Sequence, residues 1–288
     1  MNTPIRLGAF ALGLAAVFGV ALGAGNLAGP SAAASKPKAE HAGMDGEMAH
    51  GGTAGHTPGG LMVSDRGYTL STVPAPAGTF AFRITGPRGR PVTAFATEHT
   101  KRMHLIVVRR DLSGFRHVHP VMDADGTWRV AAPFGGPGTY RAFADFTPAG
   151  GPALTLGTDT EVAGAVTPRP LPGPRPTDET DGYTVTLNGH LAAGRSSRLT
   201  FTITRGGEPV TDLQPYLGAY GHLVALRQGD LAYLHVHPDG EPGDGKTKPG
   251  PAATFHAEVP SAGTYRLYLD FKHDGRVHTA EFTAEGGA

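Results

Sequence analysis

The 288-residue sequence contains no cysteine. That absence excludes disulfides, thiolate nucleophiles, cysteine zinc knuckles and blue-copper centres. A metal would have to be held by nitrogen, oxygen or methionine sulfur. Net charge is also missing: 25 Lys and Arg balance 25 Asp and Glu, so no overall field recruits nucleic acid or an anionic membrane. Helical periodicity is absent after Leu27, and no later run could cross a bilayer. The Gly-Pro-rich loops lack a strand-to-helix context, which leaves phosphate binding unsupported.

What the chain does have is turn-rich β character. Gly (43) and Pro (25) punctuate a chain that is 39% hydrophobic. Short alternating runs of Val, Ile, Thr, Phe and Tyr are separated by Gly, Pro and Asp turns, the pattern of strands. Fourteen histidines are the compositional anomaly. They can bind metal as neutral imidazoles or gain charge near pH 6.

The first residues, Met1 to Arg6, are short and basic. An apolar stretch from Leu7 to about Leu27 follows, then Ser31-Ala-Ala-Ala-Ser35. Residues 1–34 therefore read as a signal peptide, with an uncleaved anchor as the alternative. Both readings place the remainder outside the cytoplasm, secreted or in the cell envelope. Residues 35–62 are polar and Gly-rich, so they are expected to be disordered. His41, Met44, Met48, His50, His56 and Met62 in this stretch suit capture of Cu(I) or Cu(II).

The chain also repeats itself. GYTL (Gly67–Leu70) matches GYTV (Gly182–Val185), and the stretch from Phe82 to Thr93 matches that from Phe201 to Thr211. MHLIVVRRDLSGFRHVHP (Met103–Pro120) matches GHLVALRQGDLAYLHVHP (Gly221–Pro238), and GTYRAFADF (Gly138–Phe146) matches GTYRLYLDF (Gly263–Phe271). Two all-β modules follow, at 63–165 and 179–288, each read as an immunoglobulin-like or cupredoxin-like β-sandwich. A Pro-rich linker at 166–178 favours an extended, semi-rigid spacer.

His104 precedes His117 by 13 residues and His119 by 15, and His222 precedes His235 and His237 by the same intervals. In copy one this reads as a hairpin turning near Ser113, with His104 opposite His119. His117 and His119 share a face, so three imidazoles converge at one end of the hairpin. Such a set could bind Cu(II) or Zn with a position left open. Asp145 and Asp270 are candidates for a fourth ligand or for orienting a histidine. Copy one adds Met103, Glu98 and His99, whereas copy two has Gly221, Tyr216 and Leu217 there. The first site should therefore be the richer and softer one.

Both hairpin faces carry apolar residues: Ile106, Val108 and Phe115 beside the histidines, and Leu105, Val107 and Val118 on the other side. The face of the triad is left open. Tyr140 and Tyr265 fit the corner tyrosines of sandwich domains, and Trp128 fits the core. His190, His256, His273 and His278 read as surface residues, the last two able to extend the second site.

MHLIVVRRDLSGFRHVHP followed by GTYRAFADFTPAGG resembles a group of exported bacterial proteins common in actinobacteria and associated with copper or other heavy-metal handling. The resemblance covers both modules and implies a sandwich fold, with metal ligation by His104, His117, His119 and Asp145. The expected function is metal binding without enzymatic activity, with copper or zinc as the cofactor, and buffering or transfer of ions, with a cell-envelope protein as a partner. Two other classes stay open. One is an adhesion or structural protein with packed histidines. The other is an enzyme resembling copper-zinc superoxide dismutase, although that family's zinc-loop pattern and disulfide are absent.

Overall fold

The computed structural model describes residues 57–234 and 236–287. The signal-peptide reading, and all of the expected disordered segment before residue 57, lie outside the described residues, as does His235. Every described regular element is a strand.

The first repeat contributes β1 (Ser64–Asp65), β2 (Tyr68–Thr72), β3 (Thr79–Thr85), β4 (His104–Arg109), β5 (Arg116–Val118), β6 (Val121–Met122), β7 (Thr127–Ala131), β8 (Gly138–Phe146) and β9 (Leu154–Val162). The second contributes β10 (Thr177–Thr180), β11 (Tyr183–Asn188), β12 (Leu191–Ala192), β13 (Ser196–Arg205), β14 (Glu208–Pro209), β15 (His222–Arg227), β16 (Tyr233–Leu234), β17 (Val236–Pro238), β18 (Ala252–Glu258), β19 (Gly263–His273) and β20 (Arg276–Gly287). Each repeat is a two-sheet sandwich. Sheets β1-β2-β3-β7-β6 and β5-β4-β8-β9 form the first, and β10-β11-β13-β18-β17 and β12-β20-β19-β15-β16 the second.

Each sandwich has its own core. Phe82, Ile84, Leu105, Val107, Trp128 and Tyr140 fill the first; Phe201, Ile203, Leu267, Phe271 and Phe282 fill the second. The tyrosine corners are present, because Tyr140 Oη donates to the Gly136 carbonyl at 2.9 Å and Tyr265 Oη to that of Ser261 at 2.7 Å.

A third apolar cluster joins the repeats. Period-2 alternation turns Leu105 and Val107 inward, and therefore Ile106 and Val108 outward. These outward residues, with Leu112, Phe115 and Phe143, pack against Val224, Leu226, Leu231, Tyr233 and Tyr268 of the second repeat. The contacts are reciprocal. Phe115 stacks on Tyr268 at 4.1 Å, and its repeat counterpart Tyr233 meets Phe143, the counterpart of Tyr268, at 5.6 Å. This is the self-complementary geometry of a two-fold dimer, realised within one chain. Tyr268 Oη also donates across it to the Leu112 carbonyl at 2.6 Å.

The linker adheres to this seam. Leu171 packs on the third cluster, and the Arg169 backbone N–H donates to Asp111 in the β4–β5 turn at 2.9 Å. The end of the 35–62 segment is also held, contrary to the disorder expected there. Gly60 donates to the Thr155 carbonyl at 2.8 Å and accepts from Arg141 at 2.6 Å. A Cβ on Gly157 would lie 2.0 Å from the Gly60 carbonyl oxygen, so only glycine admits that approach.

Candidate metal centre

The alternation that builds the seam also decides which side chains meet at its end. His104 faces outward with Ile106 and Val108, directly opposite Asp145 on β8. In the second repeat His222 faces outward with Val224, opposite Asp270 on β19. The β4–β5 register pairs Leu105 with Val118 and Ile106 with His117, and extending it by one residue sets His104 against His119. The hairpin register expected for copy one is the one observed.

His104 Nε2 lies 3.1 Å from the Glu98 carbonyl oxygen, and His104 Nδ1 lies 3.1 Å from His117 Nε2. His117 Nδ1 lies 3.0 Å from Asp270 Oδ2, which belongs to the other repeat. Carbonyl and carboxylate oxygens accept only, so in neutral rings the protons are assigned to His104 Nε2 and His117 Nδ1. The remaining nitrogens present lone pairs to each other. Two acceptors at 3.1 Å call for an electropositive centre between them. Tetrahedral zinc, with bonds of about 2.0–2.1 Å, holds neighbouring nitrogens roughly 3.3 Å apart, so the spacing is close to that of a chelating pair.

His222 supplies a third donor. One ligand nitrogen from each of His104, His117 and His222 can be chosen so that all lie within 4.8 Å of one another. The His222 ring lies parallel to that of His104 at 5.8 Å and 4.7 Å from that of His117. Nitrogen ligands in this grouping suit borderline divalent ions.

The surroundings fix the orientations of the rings. Asp270 is buried and accepts a second hydrogen bond from Thr279 Oγ1 at 2.6 Å. Asp145 receives the equivalent bond from Thr155 Oγ1 at 3.1 Å. The His119 ring lies 5.0 Å from His104 and 4.8 Å from His117. Burial first, then the charges of His117, His104 and Lys101, push its imidazole down to about 3. Its Nε2 is buried without a hydrogen-bond partner. Tyr216 stands 6.4 Å from His117, its phenol pushed up by burial and by Asp270. A small cavity lined by His99, Asp145, Gly221, His222, Tyr233 and Val236 adjoins the cluster.

The remaining expected site residues fall differently. The His99 ring approaches both His104 (6.1 Å) and His222 (6.0 Å). It sits at φ 46° and Thr100 at φ 69°, in a tight turn closed by reciprocal Glu98–Lys101 backbone bonds. Glu98 is an exposed residue whose backbone carbonyl, not its carboxylate, meets His104. Met103 is 1% exposed in the first core, one residue before His104 and so on the opposite face. Its expected role as a soft ligand is corrected by that alternation. Gly221 differs from it for packing reasons, since a Cβ there would meet Phe255 at 3.2 Å and Leu269 at 3.3 Å.

His237 does not take the place in the second repeat that His119 has in the first. After Leu234 the chain leaves β15 for the other sheet, where β17 pairs with β18 and His237 faces His256 on the exposed side. His222 lies beside His104 and His117 of the first repeat. His273 and His278 are buried rather than superficial: His273 contacts Tyr183 Oη at 2.7 Å and Asp212 at 3.0 Å, and His278 contacts Asp181 at 2.8 Å. The cross-repeat pairing escaped the sequence reading. The available signal was a hairpin apolar on both faces, the signature of a sheet covered on both sides.

The duplicated geometry has a counterpart in sequence families. A model described as "Domain of unknown function (DUF8832)" matches twice, over residues 66–164 and 178–287. The chain belongs to the DUF8832 family. The two DUF8832 matches correspond to the two sandwiches, and the seam histidines come from both. No curated protein matches the chain. Among solved structures, a protein described as membrane anchored from Corynebacterium diphtheriae is 12% identical with a TM-score of 0.22, over 78% of this chain and 59% of its own. Invasin, a bacterial integrin-binding protein, is 15% identical with a TM-score of 0.21, over 75% of this chain and 39% of its own. The DUF8832 chain thus spans less than two thirds of either protein. Among its described residues no helix is long and apolar enough to cross a membrane.

Proposed function

We propose that this DUF8832 protein binds copper outside the cytoplasm, with zinc as the competing ion, and buffers or passes it without enzymatic turnover. The observation that carries this reading is the pair of facing lone pairs on His104 Nδ1 and His117 Nε2, 3.1 Å apart, with outer partners that fix both tautomers. A neighbouring His222 nitrogen and a partnerless His119 Nε2 add nitrogen donors in a chain that has no thiolate. Such a set favours Cu(II) over Zn(II) by the usual divalent order. The apolar leader and the His/Met segment support an exported ion carrier.

One observation favours a purely structural role: His117 already has a carboxylate partner in Asp270 without any ion. Titration of the full chain with Cu(II) and Zn(II) separates the readings. Metal binding predicts a high-affinity event lost in His104→Ala and His117→Ala. An unchanged isotherm in both variants contradicts it.

A further inference from the structure

We infer that the seam ion is held between the repeats rather than within one module, and that it is a borderline divalent cation bound by imidazoles from both repeats. The inference rests on reading the histidine cluster as a metal site. It departs from the repeat logic of the sequence, which calls for a separate triad in each module.

Three observations carry it. The grouped donors are split between repeats, His104 and His117 from the first and His222 from the second. The carboxylate that orients His117 also comes from across the seam, so even the outer partner is exchanged. Finally, the reciprocal Phe115–Tyr268 and Tyr233–Phe143 contacts hold the two sheets face to face, which fixes the donors in place before any ion arrives. The ion's class follows from the donors. Met103 is sealed in the first core, so no described sulfur reaches the cluster and the thioether contribution that favours Cu(I) is missing. Zinc and Cu(II) should compete for the same place.

An ion shared this way binds only the docked arrangement of the two modules. Occupancy and docking are therefore linked, and each favours the other. The consequence is a metal-clamped pair of domains in which loss of the ion loosens the seam.

The test counts ions on the full chain by equilibrium dialysis against zinc and, separately, Cu(II), followed by elemental analysis. Ions bound elsewhere on the chain are common to all variants, so differences between variants carry the result. His104→Ala and His222→Ala should each remove one ion, and the double variant should remove no more than either alone. His237→Ala should remove none. Should His222→Ala fail to fold, His222→Gln reads the same position with a bulkier side chain. Loss of two ions in the double variant, or of one in His237→Ala, overturns the shared site while leaving metal binding intact. Loss of an ion in His104→Ala but not at His222 assigns it to the first module alone and also overturns the inference. No loss in any variant overturns both this inference and the metal reading beneath it.

Discussion

His117 Nδ1 donates to Asp270 Oδ2 at 3.0 Å, so a histidine of one repeat is oriented by an aspartate of the other. Both side chains are almost fully buried, at 1% and 4% exposure. Thr279 occupies the other carboxylate oxygen, which leaves Asp270 little freedom to swing toward an ion itself. Its contribution is to hold the ring and to direct His117 Nε2 at His104.

Asp270→Ala should therefore weaken metal binding without changing the number of sites. Losing an outer partner of this kind costs on the order of 10- to 100-fold in affinity. Asp270→Asn retains an acceptor for His117 Nδ1 and should fall at the mild end. A zinc competition titration of both variants checks this, and equal affinities in wild type and Asp270→Ala contradict it.

The seam should also be a major source of stability. Phe115 is buried and stacked on Tyr268 with ring planes 7° apart. Phe115→Ala opens a cavity between the sheets and should cost about 3–5 kcal/mol. Tyr268→Phe strands the buried Leu112 carbonyl and should cost about 1–3 kcal/mol. Urea unfolding measures both, and metal-loaded protein should lose less than metal-free protein if the clamp operates.

Acid sensitivity should originate partly at the β4–β5 turn. Burial alone would raise the Asp111 carboxyl, but hydrogen bonds from Arg109, Ser113 and Arg169 outweigh it and hold the group well below the usual carboxylate range. The folded state thus resists a proton that the unfolded chain accepts near the ordinary value of about 3.9. The stabilisation is complete above that value and is lost as pH falls further. Asp111→Asn should lower the unfolding midpoint at neutral pH and flatten its decline below about pH 4. A wild-type-like acid limb in the variant contradicts the assignment.

Much of this architecture is legible from the residues. Repeated strand patterns specify two sandwiches, GTYR marks the corner tyrosines, and hairpin spacing gives the His104–His119 register. The destination of the outer hairpin face is harder to read. Ile106 and Val108 announce burial, but their partners Val224 and Tyr268 lie more than a hundred residues away. From sequence alone His222 therefore falls to its own repeat. Met103 looked like a ligand because it adjoins His104, whereas period-2 alternation sends adjacent side chains to opposite faces. At Glu98 a tight turn aims the backbone carbonyl, not the carboxylate, at His104. In each of these cases the sequence names the residues at the site, but the seam decides which atoms face one another.

The most direct test is anomalous diffraction from crystals of the protein grown with zinc, collected on both sides of the absorption edge. The account predicts a single seam peak bounded by His104 Nδ1, His117 Nε2 and a His222 nitrogen. Well-ordered seam histidines with no peak between them, or separate peaks confined to each module, would contradict it.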